Sequence, residues 1–455
     1  MSTWKLHVEG LGKIENVDIE VAPLTLFVGD NNSGKSYLLT LLWGMHTLGQ
    51  QQLLSRNNYR EFKEGNNLLE WFDRIRKEFD ENKTEIVVDL DEKINEFECF
   101  INILIKRNKD KFIESIFNSD KVKIKDMSIK FLKNKLYKLK IYSDNNATVR
   151  LSYGKRAMGF SYDFWNEEGK MHDFTNLFAI QFIIGALLGI SGGRQMGEEN
   201  TIFLPAARTG FMLTKDTINK VGRQKTFDLD ILEDKEINLQ PFTKPVIQFL
   251  DIMDGLTTDN VKSRRREWLV GFIEDNMLNG AIRLANSPGK EINYFPNGSK
   301  DSMPLRVTSA VVSELSPLVL LLKHKKDISQ IFYEEPEMCL HPQLQKVVAR
   351  VLCLLVKSGM TIVATTHSDI IIQHINNMIK ISSMINDKAK LIMDHFDYVK
   401  DELISPNEVK VYQLQNKNNH ETEITELKCT AYGFEVPSFN DALDKLMDEI
   451  YKIQE

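Results

Sequence analysis

Residues Gly29 to Ser36 read Gly-Asp-Asn-Asn-Ser-Gly-Lys-Ser, the spacing G-x-x-x-x-G-K-[ST] that cradles polyphosphates. Gly29 and Gly34 let the chain curl with its N–H groups inward, and Asp30, Asn31, Asn32 and Ser33 complete the loop. Lys35 is placed to neutralise the β- and γ-phosphates of ATP, and the Ser36 hydroxyl is a Mg²⁺ ligand; Tyr37 belongs to the same nucleotide-binding set. Far downstream, Gln330-Ile-Phe-Tyr333 ends in Glu334-Glu335-Pro336-Glu337. Such a strand delivers one carboxylate to the metal shell and a second to the attacking water, which assigns Glu334 to Mg²⁺ and Glu335 to general-base work. Acid pairs at strand ends also occur as solvated turn residues, but a phosphate loop in the same chain favours the chemical reading. A third segment, Thr361 to Thr366, runs into His367-Ser368-Asp369. A histidine at the carboxyl end of a strand lies where ligands of open α/β sheets gather, so His367 is placed to sense the γ-phosphate.

These residues need strands and helices to hold them. The apolar run Leu24–Val28 reads as the strand before the loop, and Tyr37–Trp43 as the helix after it, which makes the chain α/β. Its length of 455 residues allows two or three packed units or, equally, one large α/β domain with an insertion. Hydrophobic residues at 42 % and charged residues at 27 % give an ordinary globular balance. Four cysteines, Cys99, Cys339, Cys353 and Cys429, lack C-x-x-C spacing, so no zinc site is expected and a cytoplasmic setting is. The most apolar stretch, Leu177–Ile190, carries Gln181 and is too short to span a bilayer; it reads as a buried helix, and no membrane partner is expected.

The net charge of −6 is unevenly spread. Between Ile101 and Lys140 stand 12 Lys/Arg against 4 acids, +8 in that window and −14 elsewhere. The window belongs to an expected insertion over 51–175, with helical periodicity at Leu68, Leu69, Phe72, Ile75 and Phe79, then an alternating hairpin at 136–141 and 148–152. The basic residues fit either a footprint for nucleic acid or an acidic protein, or a lysine-rich solvated face. Arg264, Arg265 and Arg266 carry the same two readings.

Glu-Glu-Pro-Glu followed by Met338-Cys-Leu-His341-Pro342 resembles the Walker B and D-loop of ABC-type ATPases of the SMC/Rad50/OLD group, and Thr365 to Asp369 resembles their H-loop. The segment Leu6–Glu15 resembles the strands before their P-loop, and Phe203-Leu-Pro-Ala-Ala-Arg-Thr-Gly210 resembles a segment of stand-alone bacterial members linked to anti-phage defence, as in the PARIS and Septu systems. The resemblance implies an ABC-type P-loop NTPase head with a mixed helical and hairpin insertion lobe. It divides the chain into head (1–50), basic lobe (51–175), head (176–400) and C-terminal strands with a helix (401–455). It also implies completion of the site in trans, two heads enclosing two nucleotides within a larger homo-oligomer. The loop donated to the partner falls at Ser309 to Ser313, where valines replace the two signature glycines, so slow hydrolysis is expected. The same residues also read as an ordinary helix start capped by Ser309. No clear Q-loop is found, Gln50 to Gln52 being candidates only, and Arg208 is a candidate for a phosphate or interface role.

The tail after His367 is too short for the TOPRIM nuclease domain of OLD proteins, and Asp394 and Asp397 lack its Asp-x-Asp spacing. It reads instead as strands at 408–414 and 422–427 and an amphipathic helix, Phe439–Ile453, capped near Ser438. The expected function is that of an ATPase serving as sensor or scaffold in an anti-phage complex, holding a separately encoded nuclease and answering a phage protein. The alternative is a DNA-repair or chromosome-associated ATPase of the Rad50/RecF type that grips DNA through residues 101–140.

Overall fold

The computed structural model describes residues 4–453 apart from 54–60, 83–84, 133–136, 145–147, 154–155, 167–169, 190–199, 216–241, 260–262, 286–290, 418–420 and 438–446. A hairpin of β1 (Trp4–Leu11) and β2 (Ile14–Ile19) precedes β3 (Leu24–Gly29) and the P-loop helix Lys35–Thr47. Then come the helix Lys63–Asn82, β4 (Glu85–Asp89), the helix Ile94–Phe117, β5 (Asp126–Phe131), β6 (Lys138–Asp144), β7 (Thr148–Tyr153) and β8 (Arg156–Ser161). The helix Lys170–Leu187 leads to β9 (Thr201–Leu204), and the helix Arg264–Ile273 precedes the short sheet β10 (Gly280–Leu284), β11 (Ile292–Pro296) and β12 (Met303–Pro304). The helix Ala310–His324, β13 (Gln330–Glu334), the helix Pro342–Lys357, β14 (Thr361–Thr365) and the helix Asp369–Ser382 follow, and β15 (Val409–Asn416) and β16 (Thr422–Leu427) come last.

Nine strands form one mixed sheet in the order β5-β1-β2-β16-β15-β3-β14-β13-β9. From β15 to β9 the strands run parallel, and all six residues of β3 are buried, as a strand covered on both faces requires. Phe27 turns to one apolar core, while Leu24, Leu26 and Val28 turn to the other, against the helices Ala310–His324, Pro342–Lys357 and Asp369–Ser382. Because β14 lies between β3 and β13, the strand leading to His367 separates the P-loop from the acid pair. All three open at one edge of the sheet.

Two of the expected segments contribute strands to the main sheet. The stretch 51–175 is divided between the main sheet, where β5 pairs with β1 from Trp4↔Phe131 to Glu9↔Asp126, and a four-stranded sheet β4-β6-β7-β8. The helix Ile94–Phe117 packs directly on the P-loop helix, where a Cβ on Gly44 would come to 2.8 Å from Ile116 Cγ2. The C-terminal strands are likewise interior elements: β15 is the parallel neighbour of β3, from Val409↔Leu24 to Leu414↔Gly29. Period-2 patterning identifies a strand but not its neighbour, so sequence separation hid both pairings.

The helix expected from the 3.6-residue periodicity is present as Lys63–Asn82, with Leu68, Phe72, Ile75 and Phe79 buried, and the predicted hairpin is the β6–β7 pair. The apolar stretch from Leu177 lies in the buried helix Lys170–Leu187, and among the described residues no helix is long and apolar enough to cross a membrane. Residues 447–453 are helical, while the expected cap at Ser438 to Asp441 lies outside the described residues.

Candidate functional site

The P-loop takes its shape from three left-handed residues, Gly29 (φ 117°), Asn32 (φ 56°) and Gly34 (φ 96°). The P-loop helix starts from Gly34 with no side-chain cap and no acid in its first turn, leaving its free N–H groups to an anion. Lys35, only 6 % exposed, folds back on its own loop: Nζ donates to Gly29 O at 3.2 Å and Ser33 Oγ at 3.4 Å, and also to Asp30 O. Burial lowers its pKa to about 8, against the opposing pull of Glu335, Asp30 and Glu337. Ser36 is exposed beside it, free to meet a metal ion, and Tyr37 packs its ring on Phe117 at 5.0 Å. Nucleotide phosphates and Mg²⁺ therefore fit this cradle: open N–H groups, a withheld ammonium and an accessible hydroxyl.

The tail fixes the loop from the other side. Asp30 N donates to Leu414 O at 3.0 Å, Asn416 N to Asp30 Oδ2 at 2.8 Å and Asn416 Nδ2 to Asn31 O at 3.0 Å. A Cβ on Gly29 would sit 2.1 Å from Leu414 O, so the first P-loop glycine is required by β15 as well as by any phosphate.

At the end of β13 the two acids diverge. Glu334 Oε2 accepts from Ala206 N at 3.0 Å, beyond the end of β9, whereas Glu335 lies within electrostatic reach of Lys35. Glu335 has φ 42°, an uncommon conformation for a residue with a side chain, and its N–H is held by Thr365 O and Oγ1 at 3.2 and 3.1 Å. Burial raises its pKa, with Glu334 adding to the effect and Lys35 and Arg208 opposing it. A base with a raised pKa is a better proton acceptor. His367 Nε2 stands 3.8 Å from Glu335 Oε1, too far for a hydrogen bond, and burial followed by Lys35 depresses the imidazole's pKa. His367 is thus neutral at pH 7 and also bonds the Gly29 backbone.

Glu337, which had no assigned role, is the strongest addition to the site. Its Oε1 accepts from His367 N at 2.6 Å and Thr366 Oγ1 at 2.9 Å, fixing the turn that carries the histidine. Burial raises its pKa, and its second oxygen is buried with no hydrogen-bond partner among the described residues. The third acid of Glu-Glu-Pro-Glu was a visible signal for it.

Other expected residues lie elsewhere. The helix begins at Ala310 with Ser309 as its N-cap, accepting from Val312 N at 3.4 Å. Ser309 is exposed, but Ser313 falls in the first helical turn and is buried, so only Ser309 presents itself to a second molecule. Arg208 is not a surface phosphate ligand, because its side chain is fully buried. Gln52 donates to Ser115 Oγ at 3.0 Å, away from the acids, and the side chains of Gln50 and Gln51 lie outside the described residues. Arg265 pairs with Asp401 at 3.5 Å and Arg266 donates to Lys325 O at 2.6 Å, so two of the three arginines have partners within the fold, while Arg264 is exposed.

Residues 1–372 match the family model described as an AAA ATPase domain. A comparison with curated proteins returns no match. Similar solved structures include an Smc head bound to the C-terminal winged-helix domain of ScpA, with 11 % identity over 93 % of this chain and 97 % of that one and a TM-score of 0.35. An Smc head with an extended coiled coil, bound to the C-terminal domain of ScpA derived from Pyrococcus furiosus, gives 12 %, 99 %, 99 % and 0.36. The SMC head domain from Thermotoga maritima gives 12 %, 93 %, 98 % and 0.31.

Proposed function

Since the chain belongs to the AAA ATPase domain family, we propose that it hydrolyses ATP with Glu335 as general base and uses the bound nucleotide to control its association with other proteins. The observation that carries this reading is the convergence at one sheet edge of an uncapped P-loop helix, a buried Lys35 and a Glu335 carboxylate with a raised pKa. Lys35 would leave its loop carbonyls for the β- and γ-phosphates, and Ser36 with Glu334 would hold Mg²⁺, which supplies charge neutralisation. To reach the ion, Glu334 would exchange the Ala206 N–H for it. His367, neutral and set by Glu337, would hydrogen-bond the γ-phosphate, while Glu335 takes the proton of the attacking water.

The finer reading is a sensor or scaffold subunit of an anti-phage complex that assembles as a homo-oligomer of ATP-bound pairs and holds a separate nuclease effector. The segment Phe203–Gly210 supports it, together with the exposed Ser309 at a helix N-terminus where a partner's nucleotide would be met. The DNA-gripping alternative draws less support. Among the basic residues of 101–140, Arg107 pairs with Glu61, Lys125 with Glu9, and Lys140 with Glu85 at 2.8 Å, all acids from outside the window.

The test is Glu335→Gln with ATP and Mg²⁺, followed by turnover and by mass photometry. Turnover should fall by about 10²–10⁴, the usual worth of a positioned base, and an ATP-bound even-numbered oligomer should accumulate. Normal hydrolysis by this variant would remove Glu335 from the mechanism. An oligomer that takes up the product of a neighbouring gene supports the scaffold; DNA-stimulated turnover in a chain that ignores that product supports the alternative.

A further inference from the structure

The ATPase reading leaves one buried charge pair unused. Arg208 and Glu314 have side chains 1 % and 0 % exposed and approach to 2.6 Å. Burying two ions is expensive and seldom retained for stability alone. Arg208 does more than pair. Its Nη1 donates to Pro205 O at 2.7 Å and Glu334 O at 2.6 Å, its Nη2 donates to Glu335 O at 3.0 Å, and its guanidinium lies 4.8 Å from the Tyr333 ring centre. One planar fork thus grips the carbonyls of both residues that carry the site's acids.

The backbone it grips is an unusual one. Glu335 occupies the left-handed region at φ 42°, and its peptide is fixed at both ends, by Thr365 on the N–H side and by Arg208 on the carbonyl side. A conformation of this kind persists only where its surroundings over-determine it. On the far side, Glu314 Oε2 accepts from Thr209 N at 2.9 Å and Thr209 Oγ1 at 2.7 Å. Glu314 lies one turn into the helix whose exposed N-cap is Ser309.

We propose that Arg208 is the positioning residue for Glu335, and that Glu314 ties it to the helix beginning at Ser309, so that a displacement of that helix is felt at the catalytic carboxylate. This rests on the reading of Glu335 as the base. Arg208 touches no substrate atom; it sets the direction in which the carboxylate points.

Arg208→Lys tests this, because it keeps the charge and loses the fork. It should lower kcat by about 10- to 100-fold, the effect of a misplaced reacting group, while the Kd for a fluorescent ATP analogue stays within about threefold and the melting temperature changes little. In a Glu335→Gln background the same substitution should cost less than about twofold in kcat, since residues acting as a unit are not additive. An equal loss in both backgrounds, or no loss in either, overturns the positioning role alone. Normal turnover by Glu335→Gln itself overturns the base reading and the proposal with it. Should Arg208→Lys fail to fold, Arg208→Met combined with Glu314→Leu removes both charges and keeps apolar volume. That variant, folded and turning over at the parental rate, would also overturn the proposal.

Discussion

At the scale of single residues, the site is defined by charges held back until a ligand claims them. Lys35 is the clearest case. Its folded pKa of about 8 lies below the ordinary 10.5 because burial disfavours the ammonium. The unfolded chain therefore binds more protons than the folded one between those values. Stability rises with pH across that window, and below pH 8 the buried ammonium costs on the order of 3 kcal/mol. Triphosphate reverses the balance by favouring the ammonium. Above pH 8, ATP binding should take up a proton, and affinity should weaken by up to about tenfold per pH unit. Calorimetry at pH 8.5 in two buffers of different ionisation enthalpy measures that uptake, and Lys35→Met should abolish it together with tight binding. Binding without proton uptake would mean that Lys35 is already charged in the free protein. Lys35, Glu335 and His367 were legible because each belongs to a spacing with its own chemistry. Arg208 was legible as a residue of interest but not as a buried one, since a strand-end arginine reads the same whether it faces solvent or carbonyls.

At the scale of elements, the order of strands explains more than any motif. The family match ends at residue 372, yet β15, at Val409–Asn416, lies in the middle of the main sheet beside the P-loop strand. Its carboxyl end is the wall against which the P-loop closes, through Leu414 and Asn416. A chain ending at residue 405 should therefore lose more than a tail. It would expose the inner edges of β3 and β2, and with them Leu24, Leu26, Phe27 and Val28. We expect neither a cooperative thermal transition nor nucleotide binding from it, measured by calorimetry and fluorescent ATP; a truncated chain that melts cooperatively and binds ATP would make β15 dispensable. Gly29→Ala probes the same contact, because its Cβ would meet Leu414 O at 2.1 Å and Gly29 has φ 117°. It should cost on the order of 3 kcal/mol or more in denaturant unfolding, the range of a strained backbone site. The alternating patterns of β15 and β16 were readable as strands. Their partners were not, because pairing across nearly 400 residues is decided by packing of the whole sheet.

At the scale of the whole molecule, the surface that matters is the exposed start of the helix Ala310–His324. Val307 there is 62 % exposed, and Ser309 stands at the helix N-terminus with its hydroxyl turned to Val312 N. A helix start of this kind favours an anion, which suits the nucleotide of a second copy. In the proposed pairing the valines at 311 and 312 would keep that copy's phosphates to the N-cap and first N–H groups, because Val312 is buried and cannot recede. Ser309→Asp separates the two roles of the residue. Aspartate is as good an N-cap as serine, so thermal stability should be unchanged within about 0.5 kcal/mol. Its carboxylate, however, would repel a triphosphate brought up by a partner. In the Glu335→Gln background, Ser309→Asp should bind ATP in dilute solution as tightly as its parent, yet show no ATP-dependent oligomer by mass photometry. In the parental chain, specific turnover should cease to rise with protein concentration. Unimpaired ATP-dependent association would leave Ser309 as a helix cap only and place the contact between copies on another face.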